Sequence, residues 1–249
     1  MLPYQCRTGI RDSRAAFALL ELLVAAAVIA LIAALVLPAV NQSKNQVRAS
    51  KCIDNSRLVG AAFKSYADNH RGQFVPFKQL QTAPKDAAVR VGEGTFTYWP
   101  DLLREFAGHS GIWHCPGCRN DRSGNFGIAY NQLLGAEQSD NGKCVQSESD
   151  LAKPARTVVF ADADRIANTQ DAPDQWRPMA ATTQSPEDRL QFEIPTSATW
   201  DKPGARRAWN RHLGRATVVF ADQHVDVLPV SQLGFQKQAD ASVRLWDSQ

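Results

Sequence analysis

Between residues 15 and 40 the chain is apolar at nearly every position, and Glu21 is the one charge. About two dozen such residues, rising roughly 1.5 Å each in a helix, span a hydrocarbon layer of about 30 Å. A helix satisfies every backbone group within itself, so residues 17–40 predict a membrane-embedded helix. Pro38 lies inside the pattern, removes one amide donor, and predicts a kink or a melted turn. Past it the pattern becomes a stripe. Cys52, Val59, Ala62, Phe63 and Tyr66 recur on one helical face, while Lys44, Arg48, Lys51, Asp54 and Arg57 fall mostly elsewhere. Residues 41–70 therefore predict an amphipathic half of the same helix. Asn69-His70-Arg71-Gly72 ends it, with Gly72 suited to the left-handed cap.

From residue 71 onward, short apolar runs alternate with polar stretches. Phe96-Thr97-Tyr98 reads as a strand, followed by a helix started near Pro100 or Asp101. Residues 126–131 predict another strand. Thr157-Val158-Val159-Phe160-Ala161-Asp162 recurs as Thr217-Val218-Val219-Phe220-Ala221-Asp222, which predicts two buried strands of one antiparallel sheet, each ended by an Asp turn signal. His224-Val225-Asp226-Val227-Leu228 pairs back on the second strand. A two-residue turn there favours glycine at a positive φ, so Gln223 costs about 1 kcal/mol or calls for a longer turn. Residues 168–207 are rich in Pro, Gln, Asp and Thr and predict a surface insertion with little regular structure. Residues 234–249 predict a tail that adds an edge segment. The fold class is α+β: a long N-terminal helix, half in the membrane, packed on a small antiparallel sheet in a head at residues 71–249.

Charge excludes more than it suggests. The net charge is +3; removing residues 1–16 takes three arginines and one aspartate and leaves about +1, so nucleic-acid binding through bulk charge is not expected. A hydrophobic share of 44% supports a real core in one or two domains. The basic start resembles a secretory signal, but the apolar run is too long for one and no clean small-x-small site follows. Lys44, Arg48, Lys51 and Arg57 follow the span, so the positive-inside rule does not fix its orientation.

Glu21 is the informative charge. An ionisable group within a membrane helix costs roughly 2.5–3.5 kcal/mol and usually has a functional partner. Cleavage between Ala16 and Phe17 would create an amine at Phe17, and that amine, or the positive helix end, suits Glu21 in the same chain or a neighbour. The alternative is that Glu21 lies at headgroup level and has no partner.

Ala16-Phe17-Ala18-Leu19-Leu20-Glu21-Leu22-Leu23-Val24 resembles the prepilin signal of type IV pilins and type II secretion pseudopilins. The resemblance implies cleavage between Ala16 and Phe17 by prepilin peptidase, N-methylation of Phe17, and assembly through Phe17 and Glu21. The family usually has Gly where Ala16 stands and Thr where Ala18 stands. Residues 50–70 resemble pilin-like proteins reading Cys-x-Asn-Asn-Leu-x-x-Leu-Gly-x-Ala-x-x-x-Tyr. Similar sequences carry His, nine residues, then Asp-Gly; here His212 and Asp222 keep the spacing and Gln223 replaces the Gly. The implied organisation is a leader at 1–16, a transmembrane and assembly helix at 17–40, its amphipathic half at 41–70, and a periplasmic or extracellular head at 71–249.

Three groups carry candidate chemistry. Cys115-Pro116-Gly117-Cys118 has metal-ligand spacing, with His109 and His114 close in sequence. Zinc needs about four ligands, commonly two such pairs, and Cys52 and Cys144 are isolated in sequence. A thioredoxin-like role lacks its strand-to-helix context. Outside the cytoplasm Cys52, Cys115, Cys118 and Cys144 are candidates for disulfides. Four cysteines allow three pairings. Cys52 with the Cys115 loop would tie helix to head, with Cys118 to Cys144 closing a loop. His212, Asp222 and His224 could gather a metal, but a solvated hairpin is the expectation. Asp162 with Asp164 could form a cation site, but two carboxylates one residue apart at a strand end read as ordinary surface residues. No nucleophile elbow, phosphate loop or metalloprotease helix is present.

These readings predict a structural subunit rather than an enzyme, with no catalytic residue, cofactor or resident metal. Its expected partners are prepilin peptidase, other pilin or pseudopilin subunits, the inner-membrane assembly machinery and the lipid bilayer. Its expected place is the bacterial inner membrane, single-pass, N-terminus cytoplasmic and head periplasmic, and after processing an envelope or surface filament. The alternative is an uncleaved single-pass envelope protein with a metal- or ligand-binding head.

Overall fold

The computed structural model describes residues 13–81, 84–85, 87, 96–108, 110–118, 126–135, 147–179, 190–195, 199–235 and 244–245. Helix α1 runs Ser13–Asn69 and carries Pro38 within it. Of the kink or melted turn expected at Pro38, the melted turn is absent: the helix continues unbroken through it. Contacts divide the chain into two units, Met1–Lys44 and Asn45–Gln249. In the first unit every side chain from Glu21 to Lys44 is exposed, Leu22, Ile29 and Leu35 among them. By length and composition this helix can cross a membrane.

The second unit is built on the stripe that the sequence marks. Cys52, Val59, Ala62, Phe63 and Ala67 of α1 are buried, and Tyr66 is half-buried against them. Spacings of three and four residues put all of these on one face. Beyond the helix, Arg71 and Gly72 take positive φ, and the Gly72 amide returns to the Ala67 carbonyl at 2.8 Å.

Strands β1 (Lys78–Leu80) and β2 (Phe96–Tyr98) form a two-stranded antiparallel ribbon. Two short helices follow, α2 (Trp99–Leu102), with Pro100 in its first turn, and α3 (Arg104–Ala107). The main sheet contains β3 (Ile128–Asn131), β4 (Val158–Arg165), β5 (Gln191–Phe192), β6 (Arg206–Ala208), β7 (Ala216–Phe220) and β8 (Val225–Leu228). Its order is β5-β3-β4-β7-β8, with β6 on the far half of β4. The two recurring hexapeptides become β4 and β7, hydrogen-bonded directly and antiparallel.

Both faces of this sheet are covered, which is why β4 and β7 read as nearly unbroken apolar runs. On the helix side, Ile128, Tyr130, Phe160 and Val219 pack with Phe63, Trp99 and Trp113. On the other, Ala129, Ala161, Val218 and Phe220 pack with Trp176, Phe192, Ile194 and Phe235. Strand residues alternate between the two clusters, as a pleat requires, except at Val159 and Phe160, which both face the helix side where the β4–β7 register shifts.

Three expectations change. The sheet is mixed rather than antiparallel, because β5 pairs parallel to β3. The segment at 168–207 supplies β5, the start of β6 and the buried Trp176, Leu190, Phe192 and Ile194, so its described part contributes strands and core side chains as well as exposed turns. Asp162 does not end its strand at the surface: β4 continues to Arg165, paired Ala163↔Ala208, Asp164↔Arg207 and Arg165↔Arg206 with β6, and Asp162 is buried. The leader up to residue 12, and most of the tail at 234–249, lie outside the described residues.

Candidate metal centre

Four side chains from four separate segments meet beneath α1. Cys52 lies on the buried stripe of α1, one turn before Asn55 and Ser56, which are buried too. Asp162 shares the helix-facing side of β4 with Phe160, two residues before it. Cys115 sits in the loop after the short turn Ser110–Trp113. His212 sits in the turn before β7.

Local sequence explains the two loops. The Cys115 amide bonds to the Phe126 carbonyl (2.7 Å), and the Cys118 amide closes a turn on the Cys115 carbonyl (2.9 Å). Asn55 of α1 donates to the His114 carbonyl at 2.7 Å and fixes the loop against the helix. A β-carbon on Gly127 would stand 2.9 Å from Cys115 Cβ, and one on Gly117 would stand 2.7 Å from the His212 ring. Both glycines therefore let chain segments approach more closely than any larger residue allows. His212 and Arg215 exchange two backbone bonds of 2.9 Å across Leu213 and Gly214, which have φ of 51° and 77°. Two positive φ values are the mark of a tight two-residue hairpin. It folds His212 back over the start of β7.

The four ligand atoms lie within 4.8 Å of one another. Cys115 Sγ is 3.0 Å from His212 Nε2, the Cys52 thiol donates to Asp162 Oδ1 at 3.4 Å, and His212 Nε2 is 3.7 Å from Asp162 Oδ2. Exposures are 0% for Cys52, 1% for Asp162, 3% for Cys115 and 6% for His212, so water does not solvate the group. The Thr217 amide donates to Asp162 Oδ2 at 2.8 Å. Arg211 is buried beside the group, its Nε 3.8 Å from Asp162 Oδ1 and its Nη2 3.4 Å from Asp164 Oδ2.

These contacts set the protonation of the group. The neighbouring Cys52 thiol lowers the Cys115 thiol to about 7, opposed by burial and Asp162 and helped by His212 and Arg211. The same interaction with Cys115, then burial and Asp162, push Cys52 far above its ordinary value. Burial works to lower the His212 imidazole, but Cys115 and Asp162 outweigh it and raise it. Burial raises the Cys118 thiol. The two thiols are thus pushed in opposite directions, beside an imidazole and a carboxylate.

Of the residues considered for chemistry, the structure brings together Cys115 and His212 from two separate metal candidates, Cys52, expected as a disulfide partner of the Cys115 loop, and Asp162, expected at the surface. Cys118 stands beside the group as a free thiol but is not one of the four. Asp222 and His224 lie in the exposed β7–β8 turn, where the His224 ring bonds to Asp222 and stacks on Phe220. Glu21 is exposed on α1, and Ala16 and Phe17 fall near the start of that helix. Cys144 and His109 lie outside the described residues. Sequence reasoning missed Cys52 as a ligand because it is alone in sequence; a thiol on a buried stripe otherwise free of sulfur was the available signal. Asp162 carried a signal too, as a carboxylate closing an apolar run. Comparison of the chain with family models, with curated proteins and with solved structures finds no match.

Proposed function

We propose that this chain is a pilin-like or pseudopilin-like subunit, cut between Ala16 and Phe17 by prepilin peptidase and assembled through its apolar helix into a type IV pilus or a type II secretion pseudopilus. The observation that carries the reading is the helix itself. From Glu21 to Val40 it exposes an unbroken apolar surface with one carboxylate, in a chain whose remainder forms an α+β head on the continuing helix. Such a surface needs lipid or other helices around it. Lipid tails are as apolar as leucine, so assembly must come from close packing, which the small residues Ala25, Ala26, Ala27, Ala30, Ala33 and Ala34 permit. The head faces the periplasm or the exterior, and the bilayer and the inner-membrane assembly machinery are partners on this reading.

The alternative is an uncleaved single-pass envelope protein with a metal-binding head, and the four-ligand group favours its second half. Mass spectrometry of the N-terminus, on chain purified from membranes, separates the two. A chain beginning at N-methyl-Phe17 supports the subunit. A chain that keeps residues 1–16 removes the amine that Glu21 needs and sinks it.

A further inference from the structure

The geometry points to a structural zinc site formed by Cys52, Cys115, Asp162 and His212, which ties the amphipathic half of α1 to the sheet of the head. The ligand set is the first argument. Two sulfurs, an imidazole and a carboxylate suit zinc in tetrahedral coordination rather than magnesium or calcium, which take oxygen. Zn–S bonds of about 2.3 Å and Zn–N or Zn–O bonds of about 2.0–2.2 Å place ligand atoms roughly 3.3–3.8 Å apart at the corners of a tetrahedron. Cys115 Sγ to His212 Nε2, at 3.0 Å, is a little shorter than such an edge, Cys52 Sγ and His212 Nε2 approach Asp162 through its two different oxygens at 3.4 and 3.7 Å, and all four ligand atoms lie within 4.8 Å of one another.

The second argument is charge. With both thiols ionised and the imidazole neutral, the ligands carry three negative charges. A divalent ion and the Arg211 guanidinium, whose side chain is 3% exposed and is shared with the partly exposed Asp164, offset most of that charge within the pocket. The third is the surroundings. Metal ligands are held by outer partners, and here Asp162 accepts the Thr217 amide while Asn55 anchors the Cys115 loop. All four positions are taken by protein atoms and buried, so the site is closed, as structural zinc sites are, and leaves no position for a reacting water.

The rival for the same two sulfurs is a Cys52–Cys115 disulfide. It too would join helix to head, but it gives no reason for a buried carboxylate and imidazole to converge on the sulfurs. The site lies wholly within the head unit and does not depend on processing at Phe17, so its test and the N-terminal test fail independently.

The full chain, extracted from membranes in detergent without chelator or reductant, is analysed for zinc, digested without reduction, and separately exchanged with cobalt(II). The expected results are about one zinc per chain, Cys52 and Cys115 recovered as thiols, and a cobalt form with near-ultraviolet thiolate charge transfer and the intense visible bands of a tetrahedral site. His212→Cys keeps the metal and strengthens the charge-transfer band; Cys118→Ser changes neither. A Cys52–Cys115 disulfide overturns the proposal. So does a wild-type chain that takes up no metal when zinc is supplied, whether or not it melts cooperatively. So does a cobalt spectrum that His212→Cys leaves untouched. The wild-type readings stand even where a variant fails to fold.

Discussion

Gln223 holds a φ of 76° in the turn between β7 and β8. Its amide bonds to the Phe220 carbonyl (2.9 Å), and the Phe220 amide bonds to the His224 carbonyl (3.0 Å). This is a three-residue loop whose last residue is left-handed, the geometry in which glycine is favoured. The longer turn expected for a non-glycine is therefore present, yet the strained φ is kept. A left-handed L-residue costs about 1–2 kcal/mol, and part is returned because glycine loses more entropy on folding. Gln223→Gly is expected to stabilise the head by about 0.5–1 kcal/mol, read as a higher midpoint in denaturant. Asp174 gives a prediction in pH. Burial pushes its carboxyl up, but the Ser231 hydroxyl and amide and the Asn210 amide outweigh it and hold the group below its ordinary value. A lowered folded value means stability present above the unfolded carboxylate range and lost as pH falls through the folded one. Asp174→Asn should cost about 1 kcal/mol at pH 7, allowing for solvent screening, and the two chains should converge as the pH falls through the range in which the folded Asp174 carboxyl takes up its proton. Equal pH profiles in thermal melts would refute the assignment.

At the scale of elements, the contact between α1 and β7 is set by one missing side chain. A β-carbon on Gly60 would stand 2.9 Å from Val219 Cγ1, and Val219 is buried in the sheet. Alanine is the better helix former by about 1 kcal/mol, while overpacking a well-filled interface costs about 1–3 kcal/mol. Val219 is β-branched and has little freedom to turn aside, so the second effect wins. Gly60→Ala is expected to lower the unfolding free energy by about 1 kcal/mol, measured by denaturant titration. A stabilised variant would show that the helix rides further from the sheet. The same scale separates the twin hexapeptides. Asp162 and Asp222 close the same apolar run, yet β4 goes on to pair with β6 and buries Asp162, while the chain after Phe220 turns and leaves Asp222 exposed. Nothing local distinguishes them; the partner strand does.

For the whole molecule, the apolar helix and the head make separable demands. On the proposed reading, Glu21→Ala removes a charge from the apolar run, so membrane insertion is kept or improved while registration against a neighbour's Phe17 amine is lost. Membrane fractionation should find the variant in the membrane as before. Sheared filament fractions should contain at least tenfold less of it, a loss of about 1.4 kcal/mol per tenfold in assembly. Incorporation at the wild-type level would count against the pairing.

The sequence alone determined the long helix, its buried stripe and the paired hexapeptides, because they rest on the length of an apolar run, on a period of 3.6 and on short β-branched runs closed by turn signals, all of which neighbouring residues carry by themselves. Tertiary structure decided the parallel edge strand, the burial of the segment around Trp176 and Phe192, and the meeting of Cys52, Cys115, Asp162 and His212. Those four ligands come from a helix, a loop, a strand and a turn, so no spacing within any one segment encodes their contact. Their encounter follows only when the helix lies on the sheet and the two loops close over its end.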